Sequence, residues 1–308
     1  MATGLDSDHR VAPASAGRWS HRAGAALWRR PWLRGVLMLS PPLAWFLVIY
    51  LASLVAMLVT AFFSTDSLTG NIVYQWTWTN FDQIFTQSVY GQIILRTLVM
   101  AVAVTLTDAV IALPFAFFLA KVATRRWRQA LFALTLLPLW ASYIAKVYAW
   151  INILSNKGVL PGVEGWLHLP QSHLAYTNVA MWIVFSYLWL PFMVVPIYGA
   201  FERVPDSLLE ASSDLGAGVW FTFRSVLLPM VLPGVIAGSI FTFSLTLGDF
   251  ITPLLIGGSS SSFIGNAVYD SAINGGNLPF AAALAFVSIA IMAAYLLIAR
   301  AAGAFDAL

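Results

Sequence analysis

Cysteine is absent from all 308 residues, which excludes disulfides, iron–sulfur clusters and cysteine-ligated metal sites and leaves the redox compartment undetermined. Charge is scarce as well. Only 9% of the residues are charged and 60% are apolar, against about 25% and about 45–50% in soluble domains. So little charge cannot cover a water-facing surface, whereas lipid requires an apolar exterior. There is no Gly-x-x-x-x-Gly-Lys-Ser/Thr phosphate loop, so the chain itself does not hydrolyse ATP by that chemistry. The four histidines, His9, His21, His168 and His173, lie outside the apolar runs with neither zinc spacing nor an acidic partner. They read as solvated loop residues. No Ser–His–Asp arrangement is present, and neither a catalytic residue, a metal nor a cofactor is expected.

What is present is a set of long apolar runs. A membrane-crossing helix needs about 20 predominantly apolar residues, and six segments qualify: 35–63, 93–120, 130–154, 178–198, 231–256 and 279–299. The first is too long for a signal-peptide core and lacks a small-residue cleavage site, so it reads as a retained helix, interrupted near its start by Ser40-Pro41-Pro42. The net charge of +3 is unevenly distributed. Arg10, Arg18, Arg22, Arg29, Arg30 and Arg34 precede the first run, and Lys121, Arg125, Arg126 and Arg128 form a second cluster. Both flank hydrophobic spans and form no folded basic face, so no nucleic-acid partner is expected.

By the positive-inside rule these clusters, the 201–230 loop and Arg300 face the cytoplasm, as do both termini. Asp66, Asp82, Glu164 and Asp270 fall on the opposite side, where Lys157 is the clear cation. Trp76, Trp78, Trp127, Trp166 and Trp220 fall at or near the interfaces, where indoles are favoured. Residues 1–34 read as an Arg-rich cytoplasmic tail, disordered in its polar part, and 303–308 as a second tail. Residues 35–302 form the six-helix domain, and Gly257–Ser262 reads as a flexible external loop.

The most informative stretch lies between the fourth and fifth runs, about residues 202–230. It contains Glu210-Ala211-Ser212, then Gly216, then Val226, then Leu228-Pro229. Pro205 opens the segment, and Asp206 or Ser207 is placed to cap a short helix, Ser207 and Glu210 having capping-box spacing. Gly216 supplies a left-handed end, and small residues at 211–213 permit close approach by another protein. The spacing resembles the EAA loop of ABC-importer permeases: Glu-Ala-Ala, three residues, Gly, nine residues, Ile, one residue, Leu-Pro. Ser212 and Val226 are mild departures from that pattern. The resemblance implies a coupling helix that docks in a groove of the nucleotide-binding subunit, with Glu210, Ala211, Ser212, Gly216, Leu228 and Pro229 carrying the linkage. Taken alone, Glu210 is also explained as a carboxylate offsetting the helix dipole.

Other stretches resemble spermidine/putrescine permeases: Leu137-Pro138-Leu139-Trp140-Ala141-Ser142-Tyr143 with Val147-Tyr148-Ala149-Trp150, Leu188-Trp189-Leu190-Pro191-Phe192, and Leu247-Gly248-Asp249-Phe250-Ile251-Thr252-Pro253. The resemblance covers about Arg96 to Ala299. Lys146 departs from the arginine expected there, losing the guanidinium fork. Asp108, Lys146 and Asp249 are ionisable groups inside spans and should face the interior. For a cationic substrate, Asp108 and Asp249 offer charge, and Tyr143, Tyr148 and Trp150 offer aromatic faces. The structural alternatives are that Asp249 caps a broken helix or pairs with Lys146, that Asp108 bonds Thr105 or Thr107, and that the aromatic residues only pack. Gly234 and Gly238 suit close helix packing, and the prolines at 114, 138, 191 and 253 suit kinks.

The resemblance implies an all-α membrane protein with six transmembrane helices and the type I ABC importer permease fold, in the bacterial inner membrane. It would not be an enzyme. The implied partners are a second permease, homologous or identical, two ABC ATPase subunits, an extracytoplasmic binding protein and membrane lipid. A polyamine is the expected substrate. Alternatives are an iron chelate, an opine or another amine, and a secondary transporter using Asp108 and Asp249 as an ion relay.

Overall fold

The computed structural model describes residues 31–66, 69–170, 172–258 and 261–301. The expected disordered tail before residue 31, the tail from 303, and Ser259-Ser260 of the expected flexible loop lie outside these residues. Two compact units divide the chain between Met57 and Leu58. In the first, α1 (Pro31–Trp45) runs into a π-helical stretch (Phe46–Leu51) and then α2 (Ala52–Thr60). Pro41 and Pro42 sit inside α1 and do not interrupt it. Each proline removes a backbone N–H donor and crowds the carbonyl four residues before it; the helix continues, and a π stretch follows within four residues at Phe46–Leu51.

The second unit, from Leu58 at the end of α2, continues with a short antiparallel hairpin, β1 (Ser64–Thr65) and β2 (Ile72–Val73), followed by α3 (Thr79–Thr86). Next come α4 (Ser88–Phe117), closed by a π turn (Phe118–Val122), α5 (Arg125–Trp140), α6 (Tyr143–Leu154), α7 (Val159–Trp166) and α8 (Asn178–Glu202). After α9 (Asp206–Asp214), α10 (Val219–Thr222) passes through a π turn (Phe223–Leu227) into α11 (Leu228–Gly248). The chain ends with α12 (Ile251–Ile256), α13 (Ile264–Tyr269), a π stretch (Asp270–Asn274) and α14 (Leu278–Ala301).

Among the described residues five helices are long and apolar enough to cross a membrane, and the number is six if the pair Arg125–Trp140 and Tyr143–Trp166, bent by 97° at its break, counts as one span. The second, fourth and sixth spans keep their expected positions within a few residues. The third differs. Residues 130–154 do not form one straight helix: the chain turns at Ala141-Ser142, both extended, between α5 and α6. Pro138 removes the N–H that would bond back to Leu134, which weakens the last turn of α5. The fifth differs twice. Its helix starts at Val219, so Val226, Leu228 and Pro229 belong to a membrane helix and not to a loop, and it stops at Gly248, before Asp249.

α4, α8 and α11 pack on one another to form the centre. Buried residues recur every three or four positions, as in Thr97, Met100, Ala101, Val104, Thr105 and Asp108 of α4 and Val231, Gly234, Gly238 and Thr242 of α11, so each buries one face while the rest of its surface stays apolar. A Cβ on Gly234 would stand 2.6 Å from the Ala200 Cβ, and one on Gly238 would stand 3.1 Å from the Met193 Cα. These two glycines therefore set the α8–α11 separation. At the far end of α14, the Tyr295 ring stacks on Phe243 at 4.2 Å and its hydroxyl donates to Ser239 Oγ at 2.8 Å. The opposite loops meet as the charge rule requires: Thr65 Oγ1 donates to Asn277 Oδ1 at 2.9 Å. Gly257 and Gly258, assigned to the flexible loop, are tightly enclosed instead. A Cβ on either would press on a carbonyl oxygen, that of Pro253 or that of Tyr176.

Candidate coupling loop and membrane pathway

Between α8 and α11 the chain forms the short helix α9. Pro205, with φ −65° and ψ 137°, occupies the cap position, so no side chain caps the helix and the expected Ser207–Glu210 capping box does not form. Asp206 instead lies in the first turn, where its carboxylate faces the positive helix end. It accepts from Lys121 Nζ at 2.6 Å, and the same ammonium donates to the Val204 carbonyl at 2.6 Å. The lysine pulls the Asp206 carboxyl below its ordinary range, first through the hydrogen bond and then through its charge. At the other end, Gly216 adopts φ +74°, and Gly216 N and Ala217 N donate to the carbonyls of Ser213 and Ser212 at 2.9 and 3.0 Å. That pairing is the Schellman termination expected of a glycine there.

The two faces of α9 differ. Leu209 packs on the cluster built by Ala116, Ala120, Ile197, Phe201 and Val204. Ser212 is buried and shares a 2.7 Å hydrogen bond with Thr222, so this member of the motif serves its own chain and not the free face. Glu210 and Ala211 are exposed on that free face, Gly216 is exposed, Pro229 is exposed and Leu228 half-buried. Leu215, Val219, Trp220 and Phe221 extend the same end as uncovered apolar groups. Sequence reasoning missed this patch, reading Trp220 only as an interface anchor.

The second constellation lies where two spans break. Asp249, extended between α11 and α12, accepts from Ile251 N at 2.8 Å and Thr252 N at 3.4 Å through Oδ1, and from Thr252 Oγ1 at 2.7 Å through Oδ2. Tyr143, the first residue of α6 after the bend, donates its hydroxyl to the same Oδ2. The break in the third span is thereby fastened to the break in the fifth. Asn266 Nδ2 donates to the Phe250 carbonyl at 2.7 Å and braces the site from α13. The capping alternative for Asp249 is realised, and the pairing with Lys146 is not.

The remaining pathway candidates separate. Tyr143 stacks on Trp189 with ring centres 5.9 Å apart, and Trp150 meets Tyr187 edge-on at 5.4 Å. Tyr148 points away, 52% exposed, and Lys146 is half-buried without an acidic partner among the described residues. Asp108 is fully buried in α4. It bonds neither Thr105, which donates to the Ala101 carbonyl at 2.7 Å, nor Thr107, which accepts from Trp182 Nε1 at 3.1 Å. Ser186 of α8 stands beside it, yet Asp108, Ser186 Oγ and Trp189 Nε1 are all buried without hydrogen-bond partners among the described residues.

A coupling-type helix between two spans, in a bundle with broken membrane helices, points to one family. Residues 112–306 match the family described as "Binding-protein-dependent transport system inner membrane component". This chain belongs to that family. The permease is 43% identical over 294 residues to the inner membrane ABC transporter permease protein YdcU of Escherichia coli (strain K12), covering 91% of this chain and 93% of that one. It is 34% identical over 211 residues to the spermidine/putrescine transport system permease protein PotB of the same organism, covering 68% of this chain and 76% of that one. Its fold matches a bacterial ABC transporter that imports the acidic polysaccharide alginate, with TM-score 0.71 at 18% identity over 91% of this chain and 98% of that one. It also matches the MetNI methionine ABC transporter, with TM-score 0.54 at 18% identity over 70% of this chain and 94% of that one. The permease is therefore the membrane subunit of an ABC importer in the bacterial inner membrane. Family membership also removes the secondary-transporter alternative.

Proposed function

We propose that this permease imports a small polyamine-type cation such as spermidine or putrescine. In this reading an extracytoplasmic binding protein delivers the substrate, and two ATPase subunits dock on α9 of this chain and of a second permease. Glu210 and Ala211 face the ATPase groove. Leu215 and Val219 extend the contact, Gly216 sets the turn between them, and Leu228-Pro229 carry the motion into the fifth span. Residues 35–302 act as the transmembrane domain, with the segments 1–34 and 303–308 in the cytoplasm.

The observation that carries the amine reading is a contiguous line of acceptors and aromatic faces. Asp108 neighbours Ser186, Trp189 follows one turn later on α8, its ring stacks on Tyr143, and Tyr143 reaches Asp249. The unpaired Asp108 carboxyl oxygens and the aromatic faces beyond them are groups of the kind that replace water around an ammonium, while Asp249, already bonded, adds negative charge at the end of the line. Asp108 is enclosed in this conformation, so a passing cation reaches it only when α4 and α8 part. Trp150 and Tyr148 flank the elbow from α6. Relatives at 34% identity named for spermidine and putrescine support the substrate class.

One feature favours a second substrate class. Lys146, on the same helix as Tyr143 and without an acidic partner among the described residues, suits a carboxylate-bearing substrate such as an opine or an iron chelate. Uptake of labelled spermidine and putrescine by cells expressing the whole transporter separates the two. Saturable uptake abolished by Glu210→Ala and by loss of the ATPase Walker lysine supports the amine reading. A well-assembled complex that ignores both amines overturns it in favour of the anionic class.

A further inference from the structure

Lys121 has so far served only to mark which end of the molecule is basic, yet its position is specific. The π turn Phe118–Val122 at the end of α4 is closed by the Ala123 N–H donating to the Phe118 carbonyl at 2.8 Å. A π turn inserts one extra residue per turn and rotates the side chains after it. Lys121 is thereby carried under the α8–α9 junction, where its side chain is only 10% exposed while that of Asp206 is 77% exposed. Its ammonium meets two acceptors at once, the Val204 carbonyl at 2.6 Å and Asp206 Oδ1 at 2.6 Å. Arg128 closes the same corner, donating from Nη2 to the Ala120 carbonyl at 2.9 Å. Phe117 packs on Phe201 with ring centres 5.6 Å apart, so the end of α4 meets α8 through apolar contact. It meets α9 through the apolar seat of Leu209 on the cluster that includes Ala116 and Ala120 and through the directional polar link of this lysine.

We infer that Lys121 is a positioning residue for coupling: it fastens the N-terminal end of α9 to the second span, so that motion imposed on α9 reaches α4 as well as α8. The inference rests on the reading that α9 docks on the ATPase. Covalent continuity alone ties α9 to α8 and α11. α4 carries Asp108, and a movement that parts α4 from α8 needs a separate handle on α4. A freely solvated surface ion pair would make a poor handle because water and salt compete for it. Here the lysine end is buried and doubly bonded, which keeps the link directional.

The absence of cysteine from this subunit permits site-specific labelling, with the partner subunits used in cysteine-free form. Spin labels are introduced at Val110 of α4, at Val195 of α8 and at Leu297 of α14, all exposed positions. The Val110–Leu297 and Val195–Leu297 distances are read by pulsed electron resonance before and after trapping the assembled complex, with its binding protein, by ATP and vanadate. Both distances should shift in the parent protein. In Lys121→Met, which keeps the apolar stem but removes both bonds, the α4 shift should be largely lost and the α8 shift kept, and Lys121→Arg should restore the former. Equal shifts in Lys121→Met and the parent overturn the inference, as does a loss that affects α4 and α8 alike. Should Lys121→Met fail to assemble, Asp206→Asn, altered at an exposed carboxyl, is read the same way. Co-purification of the ATPase with Glu210→Ala tests the docking reading separately: unchanged co-purification sinks docking, whereas its loss alongside normal shifts in Lys121→Met sinks only the strut.

Discussion

The loop helix α9 and the membrane elbow each set a carboxylate in or beside a short helix, but they use it in opposite ways. At the elbow, Asp249 is saturated by donors from two spans that are 106 residues apart at Tyr143. In the loop, Glu210 is exposed and forms no bond within the chain among the described residues. One carboxylate is committed to holding the chain together, and the other is left for something outside it. An acidic residue in a transporter is therefore not informative by type. The count of donors already facing it separates fastening from docking.

Substitutions sharpen that contrast, beginning with the largest effect. Asp249→Ala removes the acceptor of Tyr143 Oη, Thr252 Oγ1 and two backbone N–H groups. The two hydroxyls keep their mutual 2.6 Å bond, whereas each N–H left unpaired costs about 1–3 kcal/mol when buried. It should lower the melting temperature of the purified permease and abolish uptake together. Tyr143→Phe removes one of those donors and should cost about 1–2 kcal/mol, with α12 left capped. Ser212→Ala, which deletes the bond to Thr222, should cost about 1 kcal/mol and leave ATPase binding nearly intact. Glu210→Ala should change stability by no more than about 0.5 kcal/mol while sharply reducing ATPase co-purification. A Glu210→Ala protein that melts early with its ATPase still bound would erase the distinction between the two regions.

The smallest effect is one of pH. Lys121 lowers the Asp206 carboxyl, so the stabilisation from this pair is complete above the ordinary aspartate value of about 3.9. It is lost only as pH falls through the lowered folded value. Coupling, measured as uptake per ATP hydrolysed, should therefore not lose the Asp206 contribution between about pH 8 and about pH 5. A drop within that window traced to Asp206→Asn would place the carboxyl in a different environment.

The same contrast explains what could be read in advance. The short helix α9 was legible because its determinants are local: Pro205 opens it and Gly216 ends it around the Glu210-Ala211-Ser212 stretch. Even there, the free and buried faces were not separable, since the partner of Ser212 is a threonine ten residues on and the partner of Asp206 lies on another span. The six apolar runs were legible from length and composition. Their breaks were only suggested, because Pro138 and Pro253 do not say how far the chain turns, and Pro41-Pro42 produced no turn at all. The Tyr143–Asp249 fastening could not be read, because nothing in either segment names the other.

The glycine contact between α8 and α11 has a mechanical consequence. With Gly234 set against Ala200 and the Pro196 carbonyl, and Gly238 against the backbone and sulfur of Met193, these helices interlock at close range. They enter and leave the coupling loop, so together with it they make a single stiff crank. A crank transmits rotation but does not itself bend. Movement is then left to α4 against this crank and to the places where the bundle is already cut, at Ala141-Ser142 and at Asp249, with the Tyr143 hydroxyl as the pin between those two joints.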